Sequence, residues 1–390
     1  MGAAAGFAAG YPGLIPSGGV SAAVFLKGLC RLAFGAEEAL FFKHLAGSGD
    51  TVFAPLYQVL AARGVRFRFF HAVTRLRLTA DRTGVAAVSM VRQADPAGDY
   101  TPLTMVRNVP AWPSEPLWEQ LAKGDVLRAA AADFEDESKP PAGTSVMLEK
   151  GVDFDAVVLG TGIGALPSIT GELAAASGNW ANMLEQVQTS AIVKAQIWLT
   201  VPSAEYGWKQ LVDEHNPEKP SGNRPLETMA TGLGGGFQTW TDVSDLLARA
   251  DWSWDDRPWS TASFSSLAAD DAVSVAAEPL QGWMDTELSL FWPHMRDGEG
   301  RFLCSALHDP DGGKGRARLE WQFVHQGVSG SQRQTLNLPG SLASRLAPDQ
   351  SGFANLYLTG DWTRNGVDTA SMEAAAVSGY QAAAALSGKA

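Results

Sequence analysis

Three short runs of this 390-residue chain carry residue types that chemistry uses. The last of them spans Asn355 to Leu386. It opens with a short apolar strand, expected over Leu356 to Thr359. Gly360 ends that strand without a Cβ, so another backbone or a ligand can come close. Asp361 then stands at the carboxyl end of the strand, where open α/β sheets place their ligands. A polar loop leads into a helix expected to start near Thr369 to Ser371, rich in small residues that pack tightly on a sheet. The free N–H groups and positive dipole end of that helix suit a group that gains negative charge. The same pattern also suits an ordinary C-terminal α/β unit with a solvent-facing aspartate.

The second run is Phe154 to Leu159, a buried-type strand, followed by Gly160-Thr161-Gly162-Ile163-Gly164-Ala165. Glycines after a strand can form a nucleotide-binding loop, which would make Gly160 to Gly164 the NAD(P) site of a dehydrogenase. Ala165 stands where the third glycine of that fingerprint belongs, a permitted variant. Pro167 follows at once, however, and no strand ending in Asp or Glu comes at the expected distance. The third run, from Gly49-Asp50-Thr51-Val52 through Thr74, reads as a glycine turn, a helix and a strand. His71, within it, suits a packed or surface histidine better than a catalytic base.

Taken in order, these runs resemble the flavin-containing amine-oxidase superfamily, which includes phytoene-desaturase-like enzymes. The C-terminal likeness rests on Leu356-Tyr-Leu-Thr-Gly-Asp361 and Ser371-Met-Glu-Ala-Ala375, over about thirty residues. The resemblance implies non-covalent FAD, with no cysteine placed to attach it. It implies that Gly360 and Asp361 meet the ribityl or phosphate region, and that Ala370, Ser371 and Met372 meet the ring. Val73 would pair with the adenine edge through its backbone. Asp155 to Gly164 would be the crossover to the substrate domain, with Gly160 and Thr161 against the cofactor. The implied reaction is hydride transfer from a small apolar or amine-bearing molecule to flavin N5. The family's opening strand and G-x-G-x-x-G pyrophosphate loop have no counterpart before Gly49. That motif is expected from a preceding segment or a partner chain. Without it the chain could also be a non-catalytic fragment or binding subunit. Many amine oxidases have an aromatic residue where Ser371 stands, and no catalytic residue is assigned.

The elements that must position these residues follow from pattern. Helices are expected over 20–48 and from Val52 to Arg63, with Gly64 as C-cap. Strands are expected at Val65 to Phe70, Val73 to Thr79, Val85 to Arg92 and Val146 to Glu149, with a turn at Asp81 to Gly84. A helical stretch, Pro167 to Gln188, precedes a strand from Ala191 to Thr200. The fold class is therefore α/β: an incomplete FAD-binding Rossmann-type domain interleaved with an α+β substrate domain. The expected division is 1–48 and 167–349 for the substrate domain, and 49–166 and 350–390 for the FAD domain. Tryptophan is dense from Trp198 to Trp321, which suits an apolar pocket or plain core packing.

Composition excludes some functions. Hydrophobic residues at 45% describe a globular protein, and a net charge of −12 argues against nucleic acid, whose phosphates call for clustered Lys and Arg. The acidic loop Glu135 to Glu137 reads as solvated rather than metal-binding. Charges at Lys27, Arg31, Glu37 and Glu38 interrupt the apolar stretch Val20 to Leu40, so no membrane span is expected. Cys30 and Cys304 form no disulfide framework, have no metal-ligand spacing, and are expected buried and inert in a reducing, cytoplasmic setting.

Overall fold

The computed structural model describes residues 10–11, 19–35, 44–207, 229–231, 233, 236–268 and 277–388. They fall into two compact units: Gly18–Thr189 with Ser329–Ala390, which carries the chemistry-bearing runs, and Met1–Ser17 with Ser190–Val328. The fold mixes helices with several separate sheets, in keeping with the α/β class.

Helix α1 (Ala22–Phe34) opens the first unit. A turn of π-helix at Gly49–Phe53 runs into α2 (Ala54–Ala62). Gly64 ends α2 at φ +86°, and the Val65 amide bonds back to the Leu60 carbonyl, the C-cap expected of that glycine. The strand expected over Val65 to Phe70 does not form, because that segment has no ladder partner among the described residues. The meander does form. β1 (His71–Leu78), β2 (Val85–Arg92) and β3 (Thr144–Glu149) make an antiparallel three-stranded sheet. Asp81 holds the β1–β2 turn by accepting from the Thr79 hydroxyl and from the Thr83 amide and hydroxyl. These bonds lower its pKa.

β4 is only Val157–Leu159, shorter than the run of apolar residues, because a turn at Glu149 to Asp153 consumes the approach. The helical stretch after it breaks into α3 (Leu166–Ile169), α4 (Gly171–Ala176) and α5 (Gly178–Gln186). Glycine begins the second and third pieces, and Ser177 between them is extended. Leu159, Leu166, Leu173, Trp180 and Met183 form one core with Leu76, Val85 and Met90 of the meander.

In the other unit β5 (Ile192–Leu199) is one strand of a five-stranded antiparallel sheet with β6 (Met229–Thr231), β7 (Thr239–Asp242), β8 (Ser260–Leu267) and β9 (Phe323–Gly327), in the order β9-β5-β8-β7-β6. Val193, Ala195, Ile197 and Leu199 alternate inward, the period a one-sided sheet demands. Trp240, Trp283 and Trp292 pack with Phe237 and Phe264 in that core. Trp254 and Trp259 are exposed instead, and Trp208 lies outside the described residues.

The chain returns to the first unit as β10 (Leu356–Leu358) and α6 (Met372–Ser387). Cys30, expected buried, is exposed on α1, whereas Cys304 is half-buried and its thiol pKa is raised by that burial. Among the described residues no helix is long and apolar enough to cross a membrane, and no group of three or more His, Cys, Asp or Glu could hold a metal.

Candidate functional site

β4 and β10 lie side by side and parallel, Val157 opposite Leu356 and Leu159 opposite Leu358. Two runs nearly two hundred residues apart thus reach their glycines, Gly160 and Gly360, at the same edge. Asn355 secures the pair. Its buried side chain accepts from the Val85 amide (2.8 Å) and donates to the carbonyls of Val85 (3.0 Å) and Asp155 (3.3 Å). One amide therefore ties the meander, the approach to β4 and the start of β10.

At the carboxyl end Gly360 has φ +139°, and a Cβ there would lie 2.4 Å from Nε1 of Trp362. The indole is fully buried and occupies the space the glycine leaves. Its Nε1 donates to the Thr161 carbonyl at 2.9 Å, joining the two strand ends. Helix α6 is fastened beneath. The Gly360 amide donates to Ser378 Oγ (2.8 Å), which also lies 3.0 Å from the Thr359 hydroxyl.

Asp361 accepts from the Thr335 hydroxyl at 3.1 Å. Burial raises its carboxyl pKa above the ordinary value, against the smaller lowering effects of the Thr335 bond and the Arg345 guanidinium. Arg345 is itself buried at 2% exposure and donates to the Asp361 carbonyl (3.1 Å) and Asn337 Oδ1 (2.5 Å). The loop to α6 is held by two side chains facing each other. Asp368 Oδ1 accepts from the amides of Asn365 and Gly366, and Asn365 Oδ1 from those of Val367 and Asp368. Asp368 is forced to φ +61° and carries a 2.5 Å ion pair to Lys27 of α1.

Ser371 is the N-cap of α6. Its hydroxyl accepts from the Ala374 amide at 3.2 Å and sits 2.9 Å from that of Thr369. The amides of Met372 and Glu373 have no acceptor among the described residues, while Ala370 is buried and Met372 exposed. Glu373 pairs with Arg31 of α1. That helix start can accept an anionic or carbonyl oxygen. Val73, on β1 beside a bulge, pairs with Met90 and makes no hydrogen bond to this group among the described residues.

Gly162 and Gly164 are not open for phosphate. Added Cβ atoms would lie 2.8 Å from the Ser331 carbonyl oxygen and 2.3 Å from that of Gly330. The glycines serve close backbone packing, and α3 after them has only four residues, so a dinucleotide loop at Gly160 to Gly164 loses its geometric basis.

No family model and no curated protein matches this chain. Among solved structures it is similar to an oxidoreductase from Methanosarcina mazei, at 11% identity and a TM-score of 0.44, over 85% of this chain. The chain spans about half of that neighbour, 53% of its length.

The residues singled out by sequence thus divide. Gly160, Thr161, Gly360 and Asp361 gather at one strand end, Ala370 to Met372 form the helix start that follows, and Val73 belongs to another sheet. Sequence reasoning missed Arg345, Trp362, Asp368 and Lys27. The available signal was an arginine inside the apolar run Leu342 to Ala347. The helix-start amides and the Asp361 carboxyl are the donors and acceptor that a flavin ring and ribityl chain would need. Among the described residues no open glycine loop fits its pyrophosphate.

Proposed function

We propose that this chain contributes the ring-binding part of a flavin site and serves an FAD-dependent oxidation of a small molecule, of the amine-oxidase and desaturase kind. The reading rests on one observation: parallel strands ending at Gly160 and Gly360-Asp361 beside a helix start with two unclaimed amides. When bound, a flavin supplies a two-electron acceptor at N5. The Met372 and Glu373 amides would hold its carbonyl edge, and the α6 dipole favours the extra negative charge of the reduced ring. Asp361 would accept a bond from a ribityl hydroxyl. Trp362 and Arg345 hold the strand end and loop rigid, so orientation costs little on binding. The distant likeness to an oxidoreductase is in keeping with this reading but adds no argument to it.

The test is the purified chain's visible spectrum, followed by titration with FAD and with flavin mononucleotide. Flavin absorption, or saturable binding weakened by Asp361→Ala, supports the proposal. A colourless protein that binds neither flavin refutes it and leaves the non-catalytic fragment. The substrate of that reaction would be a small molecule.

A further inference from the structure

The segment Val65 to Phe69 is straight, with neither turn nor bend, and the amides of Arg66, Phe67 and Arg68 have no backbone acceptor among the described residues. Its side chains alternate as in a strand. Phe67 and Phe69 stack on one face with centroids 6.0 Å apart, and Phe67 meets Tyr57 of α2 at 4.8 Å. That face borders an apolar cavity of about 250 Å³ lined by Phe53, Leu56, Leu60 and Trp112. Phe53 and Leu56 are each 50% exposed and Phe67 39%, so large apolar side chains stand open to water on a helix and an unpaired chain together.

Charge decides what suits this surface. Between residues 51 and 80 there are five arginines and no Asp or Glu, in a chain of net charge −12. Arg63, Arg66 and Arg68 are exposed and have no ion pair among the described residues. A second copy in two-fold contact would oppose these arginines to themselves. An anionic bilayer would suit the charges, but the unbonded amides at Arg66 to Arg68 would find no acceptor in hydrocarbon. A polypeptide strand satisfies both demands.

We propose that Val65 to Phe69 is a docking edge for an extended segment of a partner protein, with apolar residues set into the cavity beside Phe67 and alternate acidic residues facing Arg66 and Arg68. Backbone bonds supply affinity, and the arginine row supplies the choice of partner.

The probe is a short labelled peptide of alternating glutamate and valine, followed by fluorescence anisotropy at low salt on the full chain. The control alternates lysine and valine. The glutamate peptide should bind, the control about tenfold or more weaker, and added salt should narrow the gap. The double variant Arg66→Glu/Arg68→Glu, at exposed positions, should invert the preference. Binding should also slow hydrogen exchange at Phe67 and Arg68. Equal binding of both peptides, indifference to charge reversal, or no binding of the glutamate peptide overturns the proposal. So does capture of the chain by vesicles of phosphatidylcholine and phosphatidylglycerol without peptide binding.

Discussion

Replacing Gly360 by alanine tests whether the strand end is built as described. The backbone there sits at φ +139°, a conformation that a Cβ strains by about 1 to 3 kcal/mol. The new methyl would also lie 2.4 Å from Trp362 Nε1 and 2.7 Å from its Cδ1. The indole has no exposed surface and nowhere to swing, so overpacking adds about 1 to 3 kcal/mol. Moving it breaks the 2.9 Å bond to the Thr161 carbonyl, worth about 1 kcal/mol. The total is about 3 to 7 kcal/mol, read as a lower urea midpoint at unchanged m. Gly64→Ala is the control, since φ is +86° but no atom lies within 4 Å of the added Cβ, leaving only about 1 to 2 kcal/mol of backbone cost. In the background of Trp362→Ala both the overpacking and the bond to Thr161 are already gone, so Gly360→Ala should cost about 2 to 4 kcal/mol less there. Equal losses for Gly64→Ala and Gly360→Ala, or additive double variants, would refute the reasoning.

Other perturbations reach neighbouring parts of the same unit. Burial raises the folded-state pKa of Asp361 above its unfolded value, so its contribution is most favourable at low pH and is lost as pH rises through the folded value. Asp361→Asn keeps an acceptor for Thr335 and should raise the urea midpoint at neutral pH, with the gain shrinking towards the carboxylate range. A gain independent of pH would reject that cause. Asn355→Ala strands the Val85 amide and two carbonyls and should cost about 2 to 4 kcal/mol. A loss below about 1 kcal/mol in thermal unfolding would show that water replaces it easily. Ser371→Ala removes the α6 cap, costing about 1 kcal/mol, and should weaken flavin binding if the helix start holds the ring. Loss of stability with unchanged flavin titration would confine Ser371 to capping.

Much of the local structure is legible in the residues themselves. Gly64 marks a helix end, Asp81 to Gly84 a turn, Val85 to Arg92 a strand and Ser371 a helix start, because each depends on dihedral preference or a bond to a near neighbour. The strand–Gly–Asp–loop–helix order of the candidate site is local in the same sense. Other features depended on partners far along the chain. Val65 to Phe69 has strand residues but acquires no ladder, since a strand needs a neighbour that no propensity provides. The glycines at 162 and 164 match a phosphate loop in spacing, yet the backbone of Gly330 and Ser331 fills their place.

What the sequence alone determined, then, is the caps at Gly64 and Ser371, the turn at Asp81 to Gly84 and the strand from Val85, and that Gly360-Asp361 closes a strand ahead of a small-residue helix. Only the tertiary structure decided that Gly160 meets Gly360 across a parallel pair, that the Trp362 indole takes the space of a Cβ, and that Arg345 and Lys27 attend the loop. Apart from Trp362 and Gly360, which are near neighbours, those contacts cross 16 to 341 positions of sequence, from Arg345 with Asp361 to Lys27 with Asp368. The physical reason is that burial and electrostatic pairing act through space, while a residue's own preferences reach only a turn or two along the chain.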